Sequence, residues 1–175
     1  FLKLARKATG EKDFCRCTLV SGIAAVYGEI LKKLYDLGVR SVQIDEPVLA
    51  LDLEDRYKDA FKTAYQLIHA AAPDMNIMLT TYFGDLRDNM ALAFGLPVQG
   101  VHLDLRRAPE QLDEALAKIP AGKTLSLGLV DGRNVWRTDL SASLTLADKA
   151  VTKLGKDRVM VGPSCSLLHA PIDLS

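Results

Sequence analysis

The chain has 175 residues, 49% hydrophobic and 25% charged, a composition that suits one globular domain with a sizeable core. Its 22 Lys and Arg balance 22 Asp and Glu, so the basic excess that marks nucleic-acid or membrane-surface partners is missing. No apolar run approaches the roughly 20 residues of a membrane span, no secretory leader is visible, and Cys15, Cys17 and Cys165 are too sparse for a disulfide framework, so a reducing cytoplasm is the expected compartment.

Residues 1–5 read as a strand and residues 11–17 as an irregular loop. The chain starts without an initiator methionine and stops directly after an ordered-looking segment, so the expectation is a fragment of a longer protein. A helix is expected over about 19–37. Ile23, Val26, Tyr27, Ile30, Leu34 and Leu37 recur at helical spacing as one apolar stripe, and Gly38 is the C-terminal stop. A strand follows at 41–45, where Val42 and Ile44 alternate with Gln43 and Asp45. Pro47 cannot donate a ladder hydrogen bond and ends it. The next helix, about 56–72, carries Tyr57, Ala60, Phe61, Ala64, Tyr65 and Ile68 on one face and exits at Pro73.

Residues 76–83 are the next strand, closed by Gly84, and a short helix covers about 86–94. A strand at 100–105 precedes a helix opened by Pro109, with Leu112, Ala115, Leu116 and Ile119 as its stripe. Residues 124–130 form a strand that runs into the Asp131-Gly132 turn signal. Leu144, Ala147, Ala150, Val151 and Leu154 mark the last helix, stopped by Gly155, and residues 158–162 are the final strand.

About six strands separated by single helices demand parallel pairing through right-handed crossovers, an α/β fold. In an open doubly wound sheet the central strands are apolar on both faces. Here Gln43 and Asp45 share a parity, as do His102, Asp104 and Arg106, and Ser126 and Gly128. One polar and one apolar face suit a (β/α)8 barrel of the TIM type, and no Gly-x-Gly-x-x-Gly follows any strand. A full barrel needs eight strands, so the expectation is a single domain over residues 1–175 that forms the later three-quarters of a barrel, about strands 3 to 8. Its open edges would be the strands at 1–5 and 158–162, and such a chain should associate into a dimer or higher oligomer.

Ligands of parallel α/β folds bind at the C-terminal strand tips. Those tips carry Asp45 and Glu46; Thr81 and Tyr82; Asp104, Arg106 and Arg107; Asp131 and Arg133; then Ser164, Cys165 and His169. Acids and arginines mixed in this way suit a polar ligand, and equally a network in which Asp45, Asp104 and Arg106 pair with one another. His102 fits a hydrogen-bonded interior position, and His69 a solvated or capping one. A catalytic zinc needs about three converging ligands. The stretch 80–83 offers no good one, and Cys15-Arg16-Cys17 lacks the spacing of a zinc knuckle. No intrinsic metal is expected, and Cys165 is read as a small buried residue. The polar loop 133–137 carries Trp136, which could mark a lid edge; packing over the rim is the favoured expectation.

Four segments together resemble one family: residues 42–49 (VQIDEPVL), 100–105 (GVHLDL), 127–136 (LGLVDGRNVW) and 163–169 (PSCSLLH). They are similar to the N-terminal half of cobalamin-independent methionine synthase. The resemblance implies two similar barrels that move a methyl group from 5-methyltetrahydrofolate polyglutamate to homocysteine, with zinc in the C-terminal half. Thr81 and Phe83 stand where that half carries its His-x-Cys ligands, while Asp104 and Cys165 match its other two ligand positions. On this reading the chain has no catalytic residues and no cofactor of its own. It serves as scaffold and partial wall of the folate site, with the C-terminal barrel as partner and Asp45, Glu46, Asp104, Arg106, Asp131 and Arg133 as rim candidates. The rival is a stand-alone barrel acting as a binding or scaffold module. A Schiff-base aldolase is disfavoured because no Lys sits on a strand tip.

Overall fold

A computed structural model of the protein describes residues 3–5 and 14–170. A 3-10 turn at Arg16–Leu19 leads into α1 (Val20–Asp36), followed by β1 (Ser41–Asp45), α2 (Asp55–Ala71), β2 (Asn76–Thr80), α3 (Met90–Gly95) and β3 (Gly100–Asp104). Then come α4 (Gln111–Lys118), β4 (Thr124–Val130), α5 (Leu140–Leu154) and β5 (Val159–Pro163). The five strands form one sheet in the order β1-β2-β3-β4-β5, and every pairing is parallel.

Sequential order with crossovers of one hand puts every connecting helix on the same side of the sheet. The register explains why that side is apolar. Ile44, Leu79, Val101, Leu125 and Val159 align in one row across the strands, and Leu103 and Leu127 in the next. These side chains form a single core with Tyr65 and Ile68 of α2, Met90 and Phe94 of α3, Leu112 and Ala115 of α4 and Ala150 of α5. The opposite face carries the row Asp45, Thr80, His102, Ser126 and Met160. It bounds a concave space of about 740 Å³ lined by Gln43, Asn76, Thr80, His102, Thr124 and Ser126 among others.

Several expectations are corrected. Lys3 and Leu4 lie in a turn rather than a strand, while Phe1 and Leu2 fall outside the described residues. The described sheet therefore has five strands, and its edges are β1 and β5. Of the expected loop at 11–17, residues 11–13 lie outside the described residues and Arg16 and Cys17 belong to the 3-10 turn.

The apolar stripe expected on α1 is not its buried face. Val20, Ala24, Gly28 and Leu31 are buried, whereas Val26 is 55% and Ile30 48% exposed. Close approach decides this: a Cβ on Gly28 would come within 2.6 Å of the Ala71 Cβ, so α1 turns its smallest residues toward α2. On α5 the expected stripe does face the core through Ala147, Ala150 and Leu154, while Leu144 and Val151 at its margins are exposed.

β2 ends at Thr80, earlier than expected, because the chain bends at Phe83, whose φ is +76°. The expected short helix divides into a 3-10 turn at Arg87–Asn89 and α3. Trp136 is 77% exposed and does not pack over the rim.

Candidate functional site

Parallel strands bring their C-terminal ends to one side of the sheet. Asp45 closes β1, Thr81 follows β2, Asp104 closes β3, Asp131 follows β4 and Cys165 lies just beyond β5. The five tips expected to share one end do so.

Asp104 organises the centre of this rim. It is fully buried. Its Oδ1 accepts the backbone N–H groups of Arg106 and Arg107, each at 3.0 Å, and its Oδ2 accepts the Phe83 N–H at 3.1 Å. The Arg107 guanidinium stands 3.5 Å from Oδ2. Gln111 donates to the Asp104 carbonyl at 3.1 Å and accepts the Leu86 N–H at 3.3 Å, tying α4 to the loop after β2. Asp104 thus satisfies donors from two loops, and its lone pairs are committed to the backbone.

The expected pairing of Asp45, Asp104 and Arg106 does not form. Arg106 is exposed and gives Asp104 only its backbone N–H. Asp45, also exposed, accepts from Gln43 Nε2 at 2.6 Å and from the Tyr82 hydroxyl at 3.0 Å. Burial, and then the bond to Asp45, push the Tyr82 phenol up to about 12. The reason is reach: Asp45 and Asp104 lie on β1 and β3, with β2 between them.

Glu46 leaves the rim altogether. It lines a cleft of about 230 Å³ with Tyr27, Ile44, Phe61, Tyr65 and Ile68, and accepts from the Tyr65 hydroxyl at 3.3 Å. Burial raises its carboxyl above the ordinary range, against the weaker lowering effect of the tyrosine bond.

Beyond β4, Asp131 accepts the Arg133 N–H at 2.9 Å and Asn134 Nδ2 at 2.7 Å, and the Asn134 bond holds its carboxyl below the usual range. Gly132 passes against Cys165, where a Cβ would meet the Cys165 carbonyl at 2.7 Å and its Sγ at 3.0 Å. The Gly132 N–H donates to Ser164 Oγ at 3.1 Å. Cys165 is buried as expected, and burial pushes its thiol up.

Phe83 gathers the remaining rim groups. Arg133 stands 5.2 Å and Arg107 5.9 Å from its ring centre, and His169 and Tyr82 meet it edge to face at 5.1 and 4.6 Å. Cationic and aromatic groups are thereby collected over the end of β2.

His102 takes the expected interior position, with Nδ1 2.8 Å from Ser126 Oγ, and burial lowers its pKa. Its ring covers Gly128, where a Cβ would meet Nε2 at 2.9 Å. His69 sits in the last turn of α2, half-buried, and its Nδ1 has no hydrogen-bond partner.

The four positions matched to metal ligands do not fit zinc. The Thr81 hydroxyl is already donated to the His102 carbonyl at 2.7 Å, Phe83 has no donor atom, and the Asp104 oxygens are taken by backbone N–H groups. Among the described residues no three His, Cys, Asp or Glu side chains converge to hold a metal ion. Sequence reasoning missed the Gln111 clamp and the Tyr65–Glu46 bond. Both partners lie on helices whose apolar periodicity carries no sign of a polar role.

Residues 1–155 match the family described as cobalamin-independent synthase, N-terminal domain. The chain belongs to this family. As a cobalamin-independent synthase N-terminal domain it is 50% identical, over 99% of its length, to a 5-methyltetrahydropteroyltriglutamate–homocysteine methyltransferase of Caulobacter vibrioides. It is 51% identical over 94% of its length to the protein of the same name from Vibrio parahaemolyticus. The chain spans 22% and 21% of those relatives.

Among solved structures, the B12-independent methionine synthase of a Shewanella species aligns over 93% of this chain and 52% of its own, with a TM-score of 0.75 at 14% identity. The putative vitamin-B12 independent methionine synthase of Listeria monocytogenes aligns over 85% of this chain and 48% of its own, with a TM-score of 0.68 at 19% identity. At such identities these two likenesses speak for the fold alone. No helix among the described residues is long and apolar enough to cross a membrane.

Proposed function

We propose that this chain is part of the N-terminal barrel of a cytoplasmic, zinc-dependent methionine synthase, which moves a methyl group from 5-methyltetrahydrofolate polyglutamate to homocysteine. The sheet is five consecutive strands of a (β/α)8 barrel, and a second, C-terminal barrel holds the zinc. This chain acts as scaffold and as one wall of the folate site, and is inactive alone.

The observation that carries the reading is the rim itself. It occupies the catalytic end of the fold, yet the side chains at positions 81 and 83 are a hydroxyl bonded to a carbonyl and a phenyl ring. No step of the transfer is assigned to this chain, because a homocysteine thiol is activated by a metal whose ligands these residues do not supply. What the chain supplies is shape and charge. The Asp104 anchor fixes the loops after β2 and β3, and Arg107 and Arg133 present positive charge over Phe83. Such a surface suits the carboxylates of a polyglutamate tail.

The test is methyl transfer and zinc binding by the purified chain. Equilibrium dialysis should find no stoichiometric zinc, and no methionine should form above a protein-free blank with zinc present. Turnover by the chain alone would overturn the assignment. The alternative, a stand-alone binding or scaffold module, predicts that the natural polypeptide has no second barrel.

A further inference from the structure

We infer that Cys15 and Cys17 form a peroxide-oxidisable dithiol that closes to an intramolecular disulfide. This site is separate from the rim.

Both cysteines are free and half-buried, with only Arg16 between them. A tight turn holds them, the Thr18 N–H and hydroxyl donating to the Cys15 carbonyl at 3.1 and 2.8 Å. In 3-10 geometry, alternate Cα atoms lie about 5 Å apart, within the roughly 4.4–6.8 Å that a disulfide spans. The turn makes the two thiols near neighbours, and each shifts the titration of the other. The positive charge of Arg56 favours the thiolate form of both cysteines, and that of Arg16 favours it at Cys17.

The pair is asymmetric, which assigns the roles. The Cys17 N–H and thiol hold the Cys15 thiol below its ordinary range. Burial, and then its neighbour, push the Cys17 thiol up. Cys15 is therefore the attacking thiolate and Cys17 the resolving thiol. In the first step the Cys15 sulfur bonds to one peroxide oxygen, the O–O bond breaks, and hydroxide leaves and is protonated to water. In the second, Cys17 sulfur bonds to Cys15 sulfur, the S–O bond breaks, and a second water leaves. Two thiols and one hydrogen peroxide thus give one disulfide and two waters. Once Cys15 is a sulfenic acid its negative charge is gone, and with it the group that held the Cys17 proton.

The turn is also a fastening point. Arg16 donates to the Lys3 and Ala5 carbonyls, and Cys17 packs against the core. Closing the S–S bond rearranges the turn on which both depend.

The test uses the natural polypeptide that carries these residues, reduced, exposed to limiting hydrogen peroxide, quenched with N-ethylmaleimide and mapped by peptide mass spectrometry. The peptide holding both cysteines should escape alkylation and weigh two hydrogens less. It should do so at least about tenfold faster than Cys165 is lost, because Cys165 is buried with a raised thiol. In Cys17→Ser, Cys15 should accumulate as a dimedone-reactive sulfenic acid. In Cys15→Ser, oxidation of Cys17 should fall at least about tenfold. The proposal is overturned if Cys165 reacts first, if Cys15 and Cys17 stay fully alkylated, or if Cys15→Ser leaves Cys17 oxidising at the unmodified rate.

Discussion

At the scale of the residue, the rim is held by one carboxylate. Asp104 accepts three backbone N–H groups in a site closed to water. Removing the acceptor leaves those donors and the Arg107 guanidinium without it, so Asp104→Ala should lower stability by about 3 kcal/mol in urea unfolding. A loss within experimental error would show that water replaces the carboxylate.

His102 gives a pH signature. Burial lowers its folded-state pKa below the unfolded value of about 6.5. Below that value the unfolded chain binds a proton that the folded chain refuses. The associated stability is therefore present above about pH 6.5 and is lost as pH falls through the folded pKa, at no more than about 1.4 kcal/mol per pH unit. Replacing His102 with Gln should flatten this part of the profile, measured as urea midpoints between pH 7.5 and 5. An unchanged slope would assign the titration to another group.

At the scale of the element, α1 shows how packing overrules periodicity. The stripe Ile23, Val26, Tyr27 and Ile30 is as regular as a buried face, yet the helix turns Ala24 and Gly28 toward α2. Apolar residues occupy most of the circumference of α1, so a stripe alone could not choose among faces. The close approach of Gly28 to Ala71 does. Gly28→Val should therefore cost well over 1 kcal/mol by wedging the helices apart. Val26→Lys, on the exposed stripe, should change the stability of this chain by less than about 0.5 kcal/mol. Equal effects from the two substitutions would contradict the packing described here. α2 is the counterexample, since its stripe was legible because its polar residues leave only one apolar face, with Tyr57, Tyr65 and Ile68 buried along it.

At the scale of the whole molecule, the sheet has two edges, β1 and β5, whose outer ladder groups have no neighbouring strand among the described residues. Met160 and Val161 on β5 are more than half exposed, and so are Leu167 and Leu168 just beyond it. Paired edges are far more stable than open ones, and exposed apolar strands are templates for association. The isolated 175-residue chain should therefore run as a dimer or larger species in light scattering at micromolar concentration. A monodisperse monomer would mean that these edges are tolerated in water. An Arg substitution at Val161, pointing charge along the edge, should shift the population toward monomer.

What the sequence determined by itself is local. Alternation at period two placed β1, β3 and β4 within a residue of their observed bounds, and Gly and Pro marked where helices end. One polar and one apolar face, read from parity, already implied helices on a single side and ligand-facing groups at the strand ends. Four ordered segments carried the family. The tertiary structure decided what depends on distance between residues far apart in the chain: that Asp104 binds Phe83 and Arg107 while Asp45 binds Tyr82, that Glu46 turns into a cleft between α1 and α2, and which side of α1 is buried. The physical reason is range. Strand parity and helix stops are set by backbone sterics within a few residues, whereas hydrogen-bond partners and buried faces are chosen only after the sheet has fixed which side chains come within reach.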